Sequence, residues 1–436
     1  MDNEMCDLQY YNGDEKMSEF VRKNICEGVA FSSVTDDRFK IGRQSATLIV
    51  PLSSETAAAN ALLSCVLSRS CREYPDFTAL SKKLDSLYGA ALYPSVRKAG
   101  ENQMITIAVS GIEDRYAFGG ESVSHQLARL LCSIIFDPDM IDGRFREENV
   151  EQERRQLIET IDSELGDKRQ YAMKRCIEIM CRDELYSVSR YGSRQQVEAL
   201  TDEDLYRAWE NLKNNARTEL FMLGSTSPEM AYEGFRAQFE DKPRKPVTVG
   251  INQIAARNVE HYTETEDLAQ SKLVMGLRCL ASNDSRTGLE NALMSAVLGG
   301  TPTSKLFLNV REKQSLCYYC MSSVQSSKGI MLIDSGVETE NIEKTEKAVL
   351  EQLSLLQNGD ITAEELENAK LAVRNSLLSS LDSLAALQAY YTGGILTENF
   401  MSPAEAAEYV GSITAERIIE LAQKVQLDTV FSLVGN

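Results

Sequence analysis

Apolar positions along the chain follow two rhythms. The run Met104-Ile-Thr-Ile-Ala-Val-Ser-Gly111 alternates or stays apolar until it meets a glycine, which predicts a strand with at least one buried face. From Glu121 to Phe136 apolar residues recur at three- and four-residue intervals, the spacing of a helix that buries one stripe. The second half does likewise, with Met331-Leu-Ile-Asp-Ser-Gly336 as the strand. Between Arg144 and Ile161 the pattern predicts a helix whose stripe is Val150, Leu157, Ile158 and Ile161. Its acids Glu147, Glu148, Glu151, Glu153 and Glu159 then form a solvated face.

These patterns recur because the chain repeats itself once. Asn60-Ala-Leu-Leu-Ser-Cys-Val-Leu67 is echoed by Asn291-Ala-Leu-Met-Ser-Ala-Val-Leu298. Gly111-Ile-Glu113 is echoed by Gly336-Val-Glu338, Gln126-Leu127 by Gln352-Leu353, Asp162-Ser163 by Asp382-Ser383, and Thr201, opening one helix, by Thr414, opening another. The echoes keep one order while their offset shrinks, as small insertions produce. Each half reads as a strand, a helix, two strands, several helices and a closing strand, at Glu219-Leu223 and Thr429-Leu433. The expected fold class is therefore α+β in two tandem domains, 1–240 and 268–436. They are joined by a linker, 241–267, that begins with the proline- and charge-rich Asp241-Lys-Pro-Arg-Lys-Pro246.

Composition removes several functions. The 436 residues are 43% hydrophobic and 25% charged, enough to bury a core in each domain. A net charge of -19 with no compensating basic patch argues against nucleic acid and anionic lipid as partners. The apolar runs at 46–52, 61–67 and 130–136 are far shorter than the roughly 18 residues of a membrane span. The start, Met1-Asp-Asn-Glu-Met-Cys-Asp, is acidic and does not read as a secretory signal, and the ten scattered cysteines fit reduced thiols, so a cytoplasmic location is expected.

Familiar chemistries are also missing. The two histidines, His125 and His261, lie in a predicted helix and in the linker and read as ordinary surface residues. Cys317-Tyr-Tyr-Cys320 has the spacing of a redox or zinc pair. A structural zinc needs four ligands and no second pair exists, so a strand carrying Cys and Tyr alternately into the core is the reading taken. There is no Gly-x-Ser-x-Gly turn, no Walker sequence and no Gly-x-Gly-x-x-Gly; Gly299-Gly300 is expected simply to end the helix 289–298.

One stretch does match a known pattern. Ser304-Lys-Leu-Phe-Leu-Asn-Val-Arg-Glu-Lys-Gln-Ser-Leu-Cys-Tyr318 resembles the second-half motif of the insulinase-like zinc metallopeptidases, the superfamily of pitrilysin and the mitochondrial processing peptidase. In that motif a small and a basic residue precede Leu-Phe, then Arg-Glu-Lys, with a Tyr seven residues past the Arg. Leu84-Asp-Ser-Leu-Tyr-Gly-Ala90 is similar to a segment of noncatalytic bacterial relatives, and the resemblance runs from about residue 30 to the end. It implies halves of the LuxS/metallohydrolase-like kind, each a mostly antiparallel sheet packed with helices.

Active members carry His-x-x-Glu-His on the first-half helix, with a further Glu ligand downstream. Aligned on Asn60–Leu67, the His positions become Ala61 and Cys65 and the base becomes Ser64, while the distal acid falls on Thr160 when Glu153 is the anchor. None of these restores the zinc chemistry, so no metal or other cofactor is expected on this chain. The pair that survives is Arg311 and Tyr318, which the resemblance assigns to binding the substrate main chain and the polarised scissile carbonyl. The implied function is the noncatalytic, substrate-positioning subunit of a heterodimeric zinc peptidase acting on peptides. Its homologous partner would hold His-x-x-Glu-His and the zinc, with peptides held partly by strand addition. The alternative is an inactive homodimeric peptide-binding or scaffold protein. A peptidase using Cys65 as nucleophile lacks a neighbouring His base.

Overall fold

The computed structural model describes residues 11–12, 15–16, 19–239, 244–246 and 252–435. Cys6, most of the amino-terminal segment read for a signal, and Asp241–Pro243 lie outside the described residues. The chain forms two compact units. The first takes the residues up to Lys98, Asn102–Ile161 and the stretch from Val188 to the linker; the second takes Ala99–Glu101, Asp162–Ser187 and the remainder.

In chain order the first half contributes β1 (Glu19–Cys26), β2 (Val29–Thr35), β3 (Ile41–Pro51), α1 (Ala57–Leu67), α2 (Phe77–Ser86), β4 (Ala91–Ala99) and β5 (Asn102–Ile112). Then come α3 (Val123–Phe136), α4 (Glu147–Gly166), α5 (Lys168–Met180), α6 (Arg194–Ala199), α7 (Asp202–Asn215), β6 (Arg217–Gly224) and α8 (Glu229–Phe239). The sheet order is β1-β2-β6-β3-β5-β4. Strand β6 runs parallel to β2 and antiparallel to β3, and β3 runs antiparallel to β5.

The second half contributes β7 (Glu260–Glu266), β8 (Ser271–Arg278), α9 (Ser285–Ser295), β9 (Cys317–Gln325), β10 (Ile330–Val337), α10 (Ile342–Gln357) and α11 (Ala363–Ser379). It closes with α12 (Leu384–Gly394), α13 (Pro403–Ser412), α14 (Ala415–Ala422) and β11 (Gln426–Gly435). Its sheet order, β7-β11-β8-β10-β9, reproduces β2-β6-β3-β5-β4, including the single parallel pairing of closing strand with first strand. The repeated residues hold matching posts. Asn60 and Asn291 are both fully buried; the Asn60 amide donates to Gln103 Oε1 at 2.9 Å and that of Asn291 to Leu280 O at 2.9 Å. Thr201 and Thr414 each cap a helix by accepting a backbone N–H three residues on.

Two sequence expectations need amending. The linker 241–267 ends in strand β7, whose polar residues alternate between half-buried and exposed as suits an edge strand. Asp162–Ser187 belongs with the second unit, although it precedes the linker by many residues. Helix α5 lays Ala172 and Cys176 against Val274, Leu332, Phe431 and Leu433 of that unit's sheet. Ion pairs Arg169–Asp334 (2.6 Å), Arg175–Glu264 (2.8 Å) and Lys168–Glu266 (2.9 Å) border the contact. The opposite sheet face carries Met331, Ile333 and Val337 into a core shared with α9, α10 and α14. Covered on both faces, β10 has every residue buried, which is why its sequence runs apolar instead of alternating.

Candidate functional site

In the first unit, α1 is rich in Ala and Leu, good helix formers, and all its residues except Cys65 are buried. Ala61 and Ser64 are each 1% exposed, and the Ser64 hydroxyl donates back to Ala61 O at 2.8 Å, so it is not free to act on a ligand. The Cys65 thiol is pushed up to about 11 by burial and then by the nearby Glu153 carboxylate, which keeps it protonated. Thr160 takes no part in this cluster: it is exposed and its hydroxyl donates to Gln156 O. Helix α4 instead turns Glu153 inward, 7% exposed, so this acid is not on the solvated face expected of it. Its Oε1 receives the Arg69 guanidinium at 3.2 Å. Arg69 also donates to Gln152 at 3.3 Å and stacks over Phe77, 4.2 Å from the ring centroid. Arg69, Phe77, Lys82, Glu148, Asn149 and Gln152 line a polar cavity of about 550 Å³.

In the second unit the helix α9 does not stop at Leu298 but widens into a π-helical turn, Ala296–Gly300, and a second π-helical segment spans Leu306–Lys313. Gly299 is required by close packing: a Cβ there would lie 2.8 Å from Ser322 N of β9. Lys305, 3% exposed, anchors the second segment by pairing with Glu365 at 3.1 Å. Arg311 emerges from its last turn, stacked over Phe307 at 4.5 Å and 3.6 Å from Glu312 Oε1. The chain then turns through Ser315, held at φ +50°, a strained value for a residue with a side chain.

Strand β9 opens with a bulge. Cys317 pairs with Val337, Tyr319 with Gly336 and Cys320 with Ser335, which leaves Tyr318 as the extra residue. The bulge throws Tyr318 outward, 58% exposed, and its hydroxyl donates to Glu338 Oε1 at 2.5 Å. That bond and the carboxylate charge raise the Tyr318 pKa above the ordinary phenol value. The expected alternation of Cys and Tyr is thereby broken, because Cys317 and Cys320 now share one face. Arg311, Glu312, Leu316, Cys317, Tyr318 and Glu338 line one cavity of about 420 Å³, so the structure brings Arg311 and Tyr318 together.

Sequence reasoning missed two participants. Glu338 was visible as the echo of Glu113. Glu113 is buried and accepts from Ser225 and Thr226, at 2.9 and 2.8 Å, whereas its counterpart is exposed and holds Tyr318. Arg69 had no comparable signal, since it lies in the turn just past the end of α1. The histidines stay apart from both sites: His261 pairs with Glu346 at 3.0 Å on β7, and His125 is half-buried on α3.

The profile of the family described as "Peptidase M16 inactive domain" matches residues 199–373, the stretch that holds Arg311 and Tyr318. Over 418 residues the chain is 28% identical to the "Probable inactive metalloprotease YmfF" of Bacillus subtilis (strain 168), covering 94% of this chain and 96% of that one. Residues 199–373 thus match the insulinase-like, or M16, peptidase family, and over nearly its whole length the chain is similar to a protein described as an inactive metalloprotease. The chain is also 30% identical to the "Uncharacterized zinc protease YmxG" of the same organism, over 29% of this chain and 31% of that one. Among solved structures, a conserved protein from Enterococcus faecalis V583 superposes with a TM-score of 0.87 at 26% identity, covering 96% of this chain and 99% of that one.

The zinc of M16 peptidases does not fit the residues present. Among the described residues no three His, Cys, Asp or Glu side chains gather as a ligand set. Of the candidate donors beside α1, Cys65 is held protonated and Glu153 is already neutralised by a guanidinium. Arg69 supplies the positive charge beside Glu153. Among the described residues no helix is long and apolar enough to cross a membrane.

Proposed function

We propose that this chain is the noncatalytic, substrate-positioning subunit of a heterodimeric zinc-dependent peptidase. The observation that carries the reading is the shared cavity of Arg311 and Tyr318 beside an outer strand of the sheet, in a chain whose metal-motif positions are Ala61, Ser64 and Cys65. A homologous partner bearing His-x-x-Glu-His would hold the zinc, which polarises a peptide carbonyl and activates water. This chain's share is binding and orientation. Strand β9 offers its free edge to an extended peptide, a contact that reads main chain more than side chains. Arg311 is a permanent cation with fixed donors, half-exposed and pre-oriented by Phe307. Tyr318 brings a hydroxyl on a rigid ring, held ready by Glu338.

The test begins with a tagged pull-down from the native host lysate, with copurifying chains identified by mass and the eluate assayed for zinc. A similar-sized chain carrying His-x-x-Glu-His, with zinc, supports the reading; this chain alone, metal-free and self-associated, favours the homodimeric binder. In the assembled complex Arg311→Ala should lower turnover about 100-fold, the scale of ~3 kcal/mol for one donor aimed at a developing oxyanion, with assembly intact. Unchanged turnover ends the positioning claim.

A further inference from the structure

The bulge at the head of β9 has an effect on the two cysteines that flank Tyr318. In a regular strand residues three apart point to opposite faces. Here the extra residue brings Cys317 and Cys320 opposite Val337 and Ser335, two register positions apart on the same, core-facing side. Two positions are about 6.6 Å of strand, inside the roughly 4.4–6.8 Å of Cα separation that a disulfide spans. Ser335 Oγ donates to Cys320 Sγ at 3.1 Å. Cys317 is half-exposed at the cavity of Arg311 and Tyr318, while Cys320 is 1% exposed behind it. One thiol is thus reachable from solvent and the other is placed to follow it.

We propose that Cys317 and Cys320 form an exchanging dithiol site for low-molecular-weight disulfides, and that closing it displaces Tyr318 from Glu338. In the first step the Cys317 thiolate attacks one sulfur of the small disulfide; an S–S bond forms to Cys317, the reagent's S–S bond breaks, and one thiol leaves. In the second step the Cys320 thiol gives up its proton and attacks Cys317 Sγ. The protein disulfide forms and the second small thiol departs, so two electrons and two protons pass from the protein to the reagent. The electrostatics agree with this division of labour. The neighbouring Cys320 thiol and the Arg311 charge together outweigh burial and lower the Cys317 pKa, while Cys320 is raised. The other two half-exposed described cysteines, Cys26 and Cys65, are shifted upward by burial. Tyr318 is the unpaired residue inside the closed ring, so a bridge that draws its neighbours together moves its backbone.

The experiment treats the reduced full-length protein with oxidised glutathione at neutral pH, quenches with acid and maps peptides by mass. The expected product is the 317–320 peptide lighter by two hydrogens, formed before any adduct on Cys26 or Cys65. Cys320→Ser should instead accumulate glutathione on Cys317, and Cys317→Ser should show neither product. No bridge in the wild type, or a Cys320→Ser protein without the trapped adduct, overturns the dithiol site. For the coupling, the protein is labelled with 3-fluorotyrosine, and the ¹⁹F resonance absent from Tyr318→Phe is followed. It should shift on oxidation of the wild type and stay in place in Cys320→Ser. A bridge that forms without moving that resonance overturns the link to Tyr318.

Discussion

The Arg69–Glu153 pair gives a quantitative test of the claim that the guanidinium neutralises the buried acid facing α1. Arg69→Met keeps most of the side chain's volume and removes its charge, leaving Glu153 with no other ion-pair partner in the described structure. Removing one member of a buried pair costs ~3–5 kcal/mol. Arg69 is 15% exposed and borders an open polar cavity of about 550 Å³, so a cost at or just below the bottom of that range applies, about 2–3 kcal/mol. For a unit of this size that is roughly 4–12 °C in the melting temperature of the transition it belongs to.

The pH dependence follows from Glu153. Burial raises its pKa above 4.5, and Arg69 pulls in the opposite direction. Without Arg69 the folded-state pKa climbs further. A carboxyl raised in the folded state stabilises the fold only while protonated, and that contribution is lost as pH rises through the folded value. The deficit of Arg69→Met should therefore be full at pH 7–8 and shrink as pH falls toward the carboxylate range. Differential scanning fluorimetry across pH, with Glu153→Gln added in the variant background, checks both parts. The double variant should recover most of the loss at neutral pH. A single variant that melts with the wild type, or a deficit that grows on acidification, would refute the reasoning.

Other consequences can be checked directly. Ala61→His, Ser64→Glu and Cys65→His together should take up stoichiometric zinc, by calorimetric titration, only when Arg69→Ala is added to free Glu153. Glu338→Gln removes the hydrogen-bonding carboxylate that raises Tyr318, so Tyr318 should ionise at lower pH than in the wild type; difference titrations against the matching Tyr318→Phe proteins measure this. Lys328, 1% exposed and 2.5 Å from Glu184, should cost about 3 kcal/mol when changed to Met, read as a lower urea midpoint. Gly299→Ala forces a Cβ toward the backbone of Ser322, and should lower the stability of the second unit's transition by ~1–3 kcal/mol.

What could be read from the sequence was local or periodic. The Arg311–Tyr318 motif lies within eight consecutive residues, and both side chains line one cavity. The duplication was legible because apolar periodicity and helix caps survive in both halves, and the two sheets share one strand order. What escaped depended on neighbours distant in sequence. Thr160 was reached by counting from an anchor residue, but the packing of α4 decides which acid faces α1, and that acid is Glu153. The bulge at Tyr318 has no signature in Cys-Tyr-Tyr-Cys; only the pairing with β10 shows that two cysteines an odd number of residues apart share a face. An amphipathic α5 announces that one side will be covered, and says nothing about which sheet will cover it.

The placement of α5 also bears on how the molecule comes into being. During synthesis this helix leaves the ribosome before any strand it covers has been made, so its apolar residues must wait for Val274, Leu332 and Phe431. A fragment beginning at Gly250 would have all five strands of the second sheet and still present that sheet's outer face to water. The duplicated halves are thus interlocked in the order of their making, and cutting at the linker yields no independent copy of the second.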